Sequence, residues 1–326
     1  MKTKRLLLLA FVGSLLGGCV MDLPTGVLLE RPRVLGVRVI AESGPELAQP
    51  VPGESTTLRW LTAPGTTGWT YALSACVALP STQGLPQCSG EPFAVGFEMT
   101  PQPEPTWTFT VPEGSAGTLL VAGVLCANGV PALPAEGEML PGCDGEGATP
   151  EILTYSVALA GMGPINRHPE WTDDAFTIDE MPWPVAPDDL GDTGCLGLDG
   201  VPQIVRRLPT MEDGEEVDPD PSDLGYTVRS QDREPFQQLV LGDPPFLEDA
   251  FEELTITHVA TEGNFVRLRS IVFDEESETN VVPWRHPDEE DLPEVPADGL
   301  TVRVWHVMRD GRGGMTIAQR AFCLVP

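Results

Sequence analysis

Glycine and proline, 34 of each in 326 residues, fall between short apolar runs and form no periodic tract. Such punctuation sets turns every few residues and leaves little room for long helices. The runs themselves carry the two-residue alternation of half-buried strands. Leu58 and Trp60 share one face of 56–61, and Trp107, Phe109 and Val111 share one face of 106–111. Thr118 to Ala127 is the most apolar run and reads as a central strand. The fold class expected is therefore all-β, a sandwich architecture built from many short strands.

Strand-like runs at 33–40, 56–61, 69–79, 106–111, 118–127 and 152–159 make a first domain over residues 33–160. Gly161 to Pro169 reads as an exposed interdomain crossing, because glycine and proline stop strand pairing there. The second domain, 161–326, opens loosely. Residues 179–223 are rich in proline and acid and are expected to form long loops. Runs at 226–230, 253–260, 265–273, 280–284, 300–308 and 315–325 follow as strands. Asp310-Gly311-Arg312-Gly313-Gly314 between the last two is a hairpin signal.

The N-terminus carries a different kind of information. Met1-Lys2-Thr3-Lys4-Arg5 is basic, Leu6 to Leu16 is apolar, and Gly17-Gly18 precedes Cys19. The apolar run is too short to cross a bilayer as a helix and reads as a cleaved signal. Leu16-Gly17-Gly18-Cys19 resembles a bacterial lipobox. The resemblance implies a signal peptide at 1–18, a diacylglyceryl thioether on Cys19, and N-acylation of the new terminus. Residues 19–32 would then be a lipidated tether. Aspartate after such a cysteine marks inner-membrane retention in lipoproteins of two-membrane cells. Val20 stands there instead, which implies the outer membrane, on its periplasmic face or at the surface.

Loss of residues 1–18 removes three cations and no acid, so the net charge moves from −30 to about −33. No lysine occurs beyond Lys4. A nucleic-acid partner is excluded, since phosphate contacts need clustered cations. Six cysteines remain after Cys19, and an even number in an exported chain suggests three disulfides. Cys76 ends a strand with Cys88 in the following loop, and Cys126 ends a strand with Cys143 after a Gly/Pro-rich loop. Pairs Cys76–Cys88 and Cys126–Cys143 follow from that placement, with Cys76–Cys126 and Cys88–Cys143 as the rival. Cys195 and Cys323 are the pair left in the second domain.

The opening Pro32-Arg33-Val34-Leu35-Gly36-Val37-Arg38 with Pro52-Gly53-Glu54, and the closing Thr301-Val302-Arg303-Val304-Trp305 strand with its Arg309–Gly314 turn, resemble the ends of bacterial Ig-like or cadherin-like modules. The resemblance implies two tandem Ig-like β-sandwich domains in an exported lipoprotein of a kind whose function is uncharacterised. It brings a fold and a location and no active site.

His168, His258, His286 and His306 show no metal-ligand spacing, and His258 and His306 fall on apolar strand faces as core histidines. Asp218 to Asp223 lacks the sixth-position glycine of an EF-hand, and Arg229 stands where its glutamate belongs. The acids of Asp288 to Asp291 read as a solvated run. Gly114-Ser115-Ala116-Gly117 is not a nucleophile elbow. Trp171 and Trp183 lie in the loose joint region, where exposure would suit a glycan. No metal, cofactor or catalytic residue is expected. The reading favoured is a non-catalytic envelope lipoprotein, held to the membrane by lipid on Cys19, that binds an unknown protein or glycan. The alternatives are an envelope hydrolase with its site in the 179–223 loops, and a calcium-dependent adhesion module.

Overall fold

The computed structural model describes residues 28–29, 31–63, 68–79, 86–132, 141–161, 165–187, 189–212, 215–228, 233–240, 246–272, 279–290 and 292–326. Residues 1–18 and Cys19 lie outside them. The chain is all-β, and its strands stack into two sandwiches with separate cores.

The first sandwich contains β1 (Val34–Ala41), β2 (Ser55–Thr62), β3 (Trp69–Val77), β4 (Ala94–Gln102), β5 (Thr106–Thr110), β6 (Thr118–Ala127), β7 (Val130–Ala132), β8 (Gly142–Asp144) and β9 (Thr149–Ala158). One sheet runs β1-β2-β5 and the other β4-β3-β6-β9, while β7 and β8 form a short ribbon. Alternation decides what lies between the sheets. Val37 and Val39, Leu58 and Trp60, and Trp107 and Phe109 point inward to meet Trp69, Leu73, Leu119 and Val121. Fully burying one such side chain contributes about 1.5–3 kcal/mol.

The second sandwich contains β10 (Phe176–Ile178), β11 (Met181–Pro182), β12 (Gln203–Val205), β13 (Thr210–Glu212), β14 (Glu215–Val217), β15 (Ser222–Thr227), β16 (Pro235–Val240), β17 (Phe246–Phe251), β18 (Leu254–Ala260), β19 (Asn264–Phe265), β20 (Arg269–Val272), β21 (Thr279–Arg285), β22 (Leu300–Asp310) and β23 (Met315–Val325). Its sheets run β11-β10-β15-β21-β19 and β12-β23-β22-β18-β20, while β13–β14 and β16–β17 form two separate ribbons. Phe176, Tyr226, Trp284, Ile256, Val304 and Phe322 fill the space between them.

Each anticipated cysteine pair lies at bonding distance, with Cα separations of 5.6 Å for Cys76–Cys88, 5.7 Å for Cys126–Cys143 and 5.5 Å for Cys195–Cys323. All fall inside the range a disulfide spans.

Several expectations need correction. The segment 179–223 is not only loop: β11, β12, β13 and β14 lie within it, and β12 pairs parallel to β23. Leu190, Cys195 and Val201 pack with Ala321 and Cys323, which anchors this stretch to the last strand. Trp183 is buried and donates its indole N–H to the Ala321 carbonyl at 2.8 Å, and Trp171 packs on Phe176 and Tyr226. Neither offers a glycan platform. The strand expected at 226–230 runs earlier, over β15, and Arg229 and Ser230 lie outside the described residues. The strand expected at 265–273 breaks into β19 and β20, with Phe273 outside the described residues.

Candidate functional site

The C-terminal part of the crossing between the sandwiches is largely buried. Asn166, His168 and Pro169 are enclosed while Gly161 and Arg167 are exposed, so the expected exposed crossing is only partly so; residues 162–164 lie outside the described residues. Backbone bonds tie it to the first sandwich, from Ala48 N to Asn166 O (2.8 Å) and from His168 N to Glu46 O (2.8 Å). The His168 ring then bridges both units. Its Nδ1 accepts the Met315 N–H at 3.0 Å, so the proton sits on Nε2, which donates to the Val39 carbonyl at 2.6 Å. Burial lowers its pKa, which favours that neutral tautomer.

A third apolar core seals the junction. Leu35 and Ala63 from the first unit meet Val259, Trp305, Val307 and Met315 from the second. These four belong to the outer face of the β12-β23-β22-β18-β20 sheet. That is why β18 and β22 bury side chains on both faces, where simple alternation shows one. Met315 seats directly on Gly36, where a Cβ would have no room. The chain before the first sandwich joins in. Leu28 bridges to Ala260, Leu29 N donates to Ala260 O at 2.9 Å, and Leu29 packs on the same core. The end of the expected tether is therefore docked on the second sandwich and does not hang from the first.

The third core covers only part of that sheet face. Beyond it, β1 and the β18–β20 edge leave a cleft of about 450 Å³. Arg33 lines it from the first unit, and Arg269 and Arg309 from the second. Register explains the set: Thr255 stands opposite Arg309 and Thr257 opposite Arg269, so two hydroxyls and two guanidiniums share one patch of the face. Arg309 NH1 donates to Thr257 Oγ1 at 3.2 Å, and its NH2 reaches the Leu35 carbonyl. Burial, with the charge of Arg269 adding, lowers the Arg309 pKa, and Tyr155 opposes the shift. Val34, Leu35 and Val259 form the apolar part of the wall. Among the described residues none of the three arginines has a salt bridge. The one acid in the lining, Asp310, is already satisfied. Its Oδ1 accepts from Arg312 N (2.8 Å) and Gly314 N (2.7 Å), and its Oδ2 accepts from Asn166 Nδ2 (3.0 Å).

The 179–223 region brings one Ser–His contact beneath a groove of the second unit. Ser222 Oγ lies 3.4 Å from His286 Nε2, beside a groove of about 280 Å³ lined by Arg207, Asp218 and Arg285. Arg207 N donates to His286 Nδ1 at 3.4 Å, so the ring proton is on Nε2, the nitrogen facing Ser222. A general base needs a lone pair there. Ser222 is also fully buried. Burial, then Arg207, hold His286 down at about 4, with Asp179 opposing and Arg206 adding. This geometry does not activate a serine.

His258 and His306 sit in the closed core of the second unit and reach no cleft. Among the described residues no three His, Cys, Asp or Glu side chains gather as metal ligands. The expected cysteines line none of the clefts described: Cys76–Cys88 and Cys126–Cys143 fasten loops to the β4-β3-β6-β9 sheet, and Cys195–Cys323 fastens the 190–205 stretch. No residue of the arginine cleft was singled out from sequence, because 33, 269 and 309 are distant in the chain. The one available signal was the scarcity of cations in so acidic a protein. No family model matches the chain, and no curated protein matches it.

Proposed function

We propose that this protein is a lipid-anchored envelope lipoprotein whose two sandwiches act together as one non-catalytic binding module. The observation that carries the reading is the third apolar core with its His168 bridge, which makes one body of two units and holds a preformed cleft beside it. Pre-organisation of that kind lowers the entropic cost of binding. Leu28 and Leu29, docked at the same junction, would bring a tether from Cys19 out beside the cleft and not at a far pole. Cleft and membrane would then face a ligand together. The tautomer of His286 and the burial of Ser222 speak against the hydrolase reading.

Fractionation of cells expressing the full chain and Cys19→Ala tests the anchor. The native chain is expected with the membranes and the variant in the soluble fraction, because stable anchoring needs the several acyl chains carried at that residue. A variant that stays membrane-bound would overturn the anchoring half of the proposal.

A further inference from the structure

We infer that the cleft between the sandwiches binds a small organic oxyanion, its charged group held by Arg33, Arg269 and Arg309 and its apolar part lying on Val34, Leu35 and Val259. The inference rests on the binding-module reading and names the ligand chemistry of that module.

The charge distribution is the first argument. The chain has 19 cations against 49 acids, and acids are available everywhere to neutralise an arginine. In the cleft three guanidiniums meet with one carboxylate, and that carboxylate is taken up by three N–H donors. Among the described residues Asp310, and Glu151 near Arg33, answer only part of this gathered positive charge, and a bound anion would answer the rest. Arg309 is spent on folding contacts and Arg33 also feels Glu151, whose pKa burial raises and Arg33 lowers in part, while Arg269 has no salt bridge among the described residues.

Geometry is the second argument. Arg309 is fixed by Thr257 and by the Leu35 carbonyl, so its remaining donors are aimed without further ordering. A guanidinium is a planar fork suited to carboxylate or phosphate oxygens, and threonine hydroxyls add donors at the same patch. The volume is in the range of small-molecule sites, and the largely polar wall keeps an apolar strip at Val34, Leu35 and Val259.

The surrounding field sets the size of the ligand. A net charge near −30 repels extended polyanions from a distance. A compact anion of one or two charges meets that repulsion least and gains the local arginines in full.

The test uses the full chain, titrated with inorganic phosphate, phenyl phosphate and benzoate while thermal unfolding and binding heat are followed. Ligand that binds only the folded state raises Tm with concentration. Phenyl phosphate or benzoate is expected to bind more tightly than inorganic phosphate, because only they use the apolar wall. Whichever of the two binds better separates a phosphate head from a carboxylate head. Arg269→Ala and Arg33→Ala should each weaken binding about tenfold, the scale of one charge-assisted hydrogen bond. Both sites are exposed or half-buried, so folding is kept. Arg285→Ala, in the distant groove, should change nothing. Absence of any Tm rise or heat at millimolar ligand would overturn the inference. So would binding that survives Arg33→Ala with Arg269→Ala. Neither failure touches the Cys19 fractionation, so the anchor reading stands or falls separately.

Discussion

The Nδ1 atoms of His258 and His306 lie 2.9 Å apart in the sealed core of the second sandwich. One ring must donate and the other accept. His258 Nε2 faces Ser270 Oγ at 3.1 Å, while His306 Nε2 has no partner among the described residues. The arrangement that leaves no buried donor unpaired has His306 Nδ1–H donating to His258 Nδ1, and His258 Nε2–H donating to Ser270.

Protonating His258 at Nδ1 would set N–H against N–H, and protonating His306 at Nε2 would leave a buried charged donor with no partner among the described residues. Burial first, and then Arg267, hold His258 at about 3. Burial, His258 and Arg320 hold His306 well below its ordinary value. Unfolded histidines take up protons near pH 6.5, so between about 3 and 6.5 the unfolded chain binds more protons than the folded one. This contribution makes stability fall as pH drops through that window. The paired variant His258→Leu with His306→Phe should show a shallower loss of Tm from pH 6.5 to pH 4 than the native chain. Equal slopes would show that the pair does not govern it.

Glu252 acts in the opposite sense. It is buried, bonded to Arg312 NH1 at 3.0 Å, and near Asp310 and Glu234. Burial and then Asp310 raise its pKa to about 7, with Arg312 opposing and Glu234 adding. The folded state therefore keeps a proton that the unfolded chain loses near 4.5, and the stability linked to it disappears as pH rises through 7. Glu252→Gln, a fixed copy of the protonated form, should raise Tm at pH 8 and leave it nearly unchanged at pH 4. A loss of Tm at pH 8 would mean that the Arg312 pair outweighs the desolvation of the carboxylate.

His168→Ala removes both bonds that join Val39 to Met315 through one ring. Two buried backbone groups are orphaned, at about 1–3 kcal/mol each. Calorimetry should show a lower Tm and a transition that begins to split into two, since the units have separate cores. A single transition at the native Tm would show that the apolar junction alone suffices.

Cys195–Cys323 closes a loop over a sequence separation of 128. On the chain-entropy model such closure contributes about 4–5 kcal/mol, and measured gains are often smaller. With both cysteines changed to serine, limited proteolysis should cut first within 189–207, while 33–160 stays intact. First cuts within 33–160 would show the bridge holds nothing there. Gly299→Ala should reproduce part of the effect. Its φ is 87°, a region costly for alanine, and its Cβ would press on Cys323 Sγ.

Full processing at Cys19 would leave the mature protein with no primary amine, because the remaining cations are arginine and histidine. Amine-reactive dye should fail to label the purified native chain. Substantial labelling would mean an unblocked N-terminus.

Strand content was legible where turns bound an alternating run. The stretches 118–127 and 315–325 form strands with those bounds, since the residues that stop pairing stand beside them. Cys76–Cys88 and Cys126–Cys143 follow from chain position, loop beside strand, and Cys195–Cys323 is the pair that remains once they are set. β4 is a strand that the sequence reading lacks although Val95, Phe97 and Met99 alternate: its apolar residues face solvent, while Gly96 makes room for Trp107. Trp171 and Trp183 were misplaced because a loose, proline-rich neighbourhood says nothing of the core that folds over it. The junction and the cleft needed tertiary structure. Local periodicity reports which face of a strand is apolar. It does not report that Trp305 and Val307, on the outer face, are covered by Leu35 and Ala63 from another sandwich. Arg33, Arg269 and Arg309 share no local pattern either, and their meeting depends on how two rigid units dock.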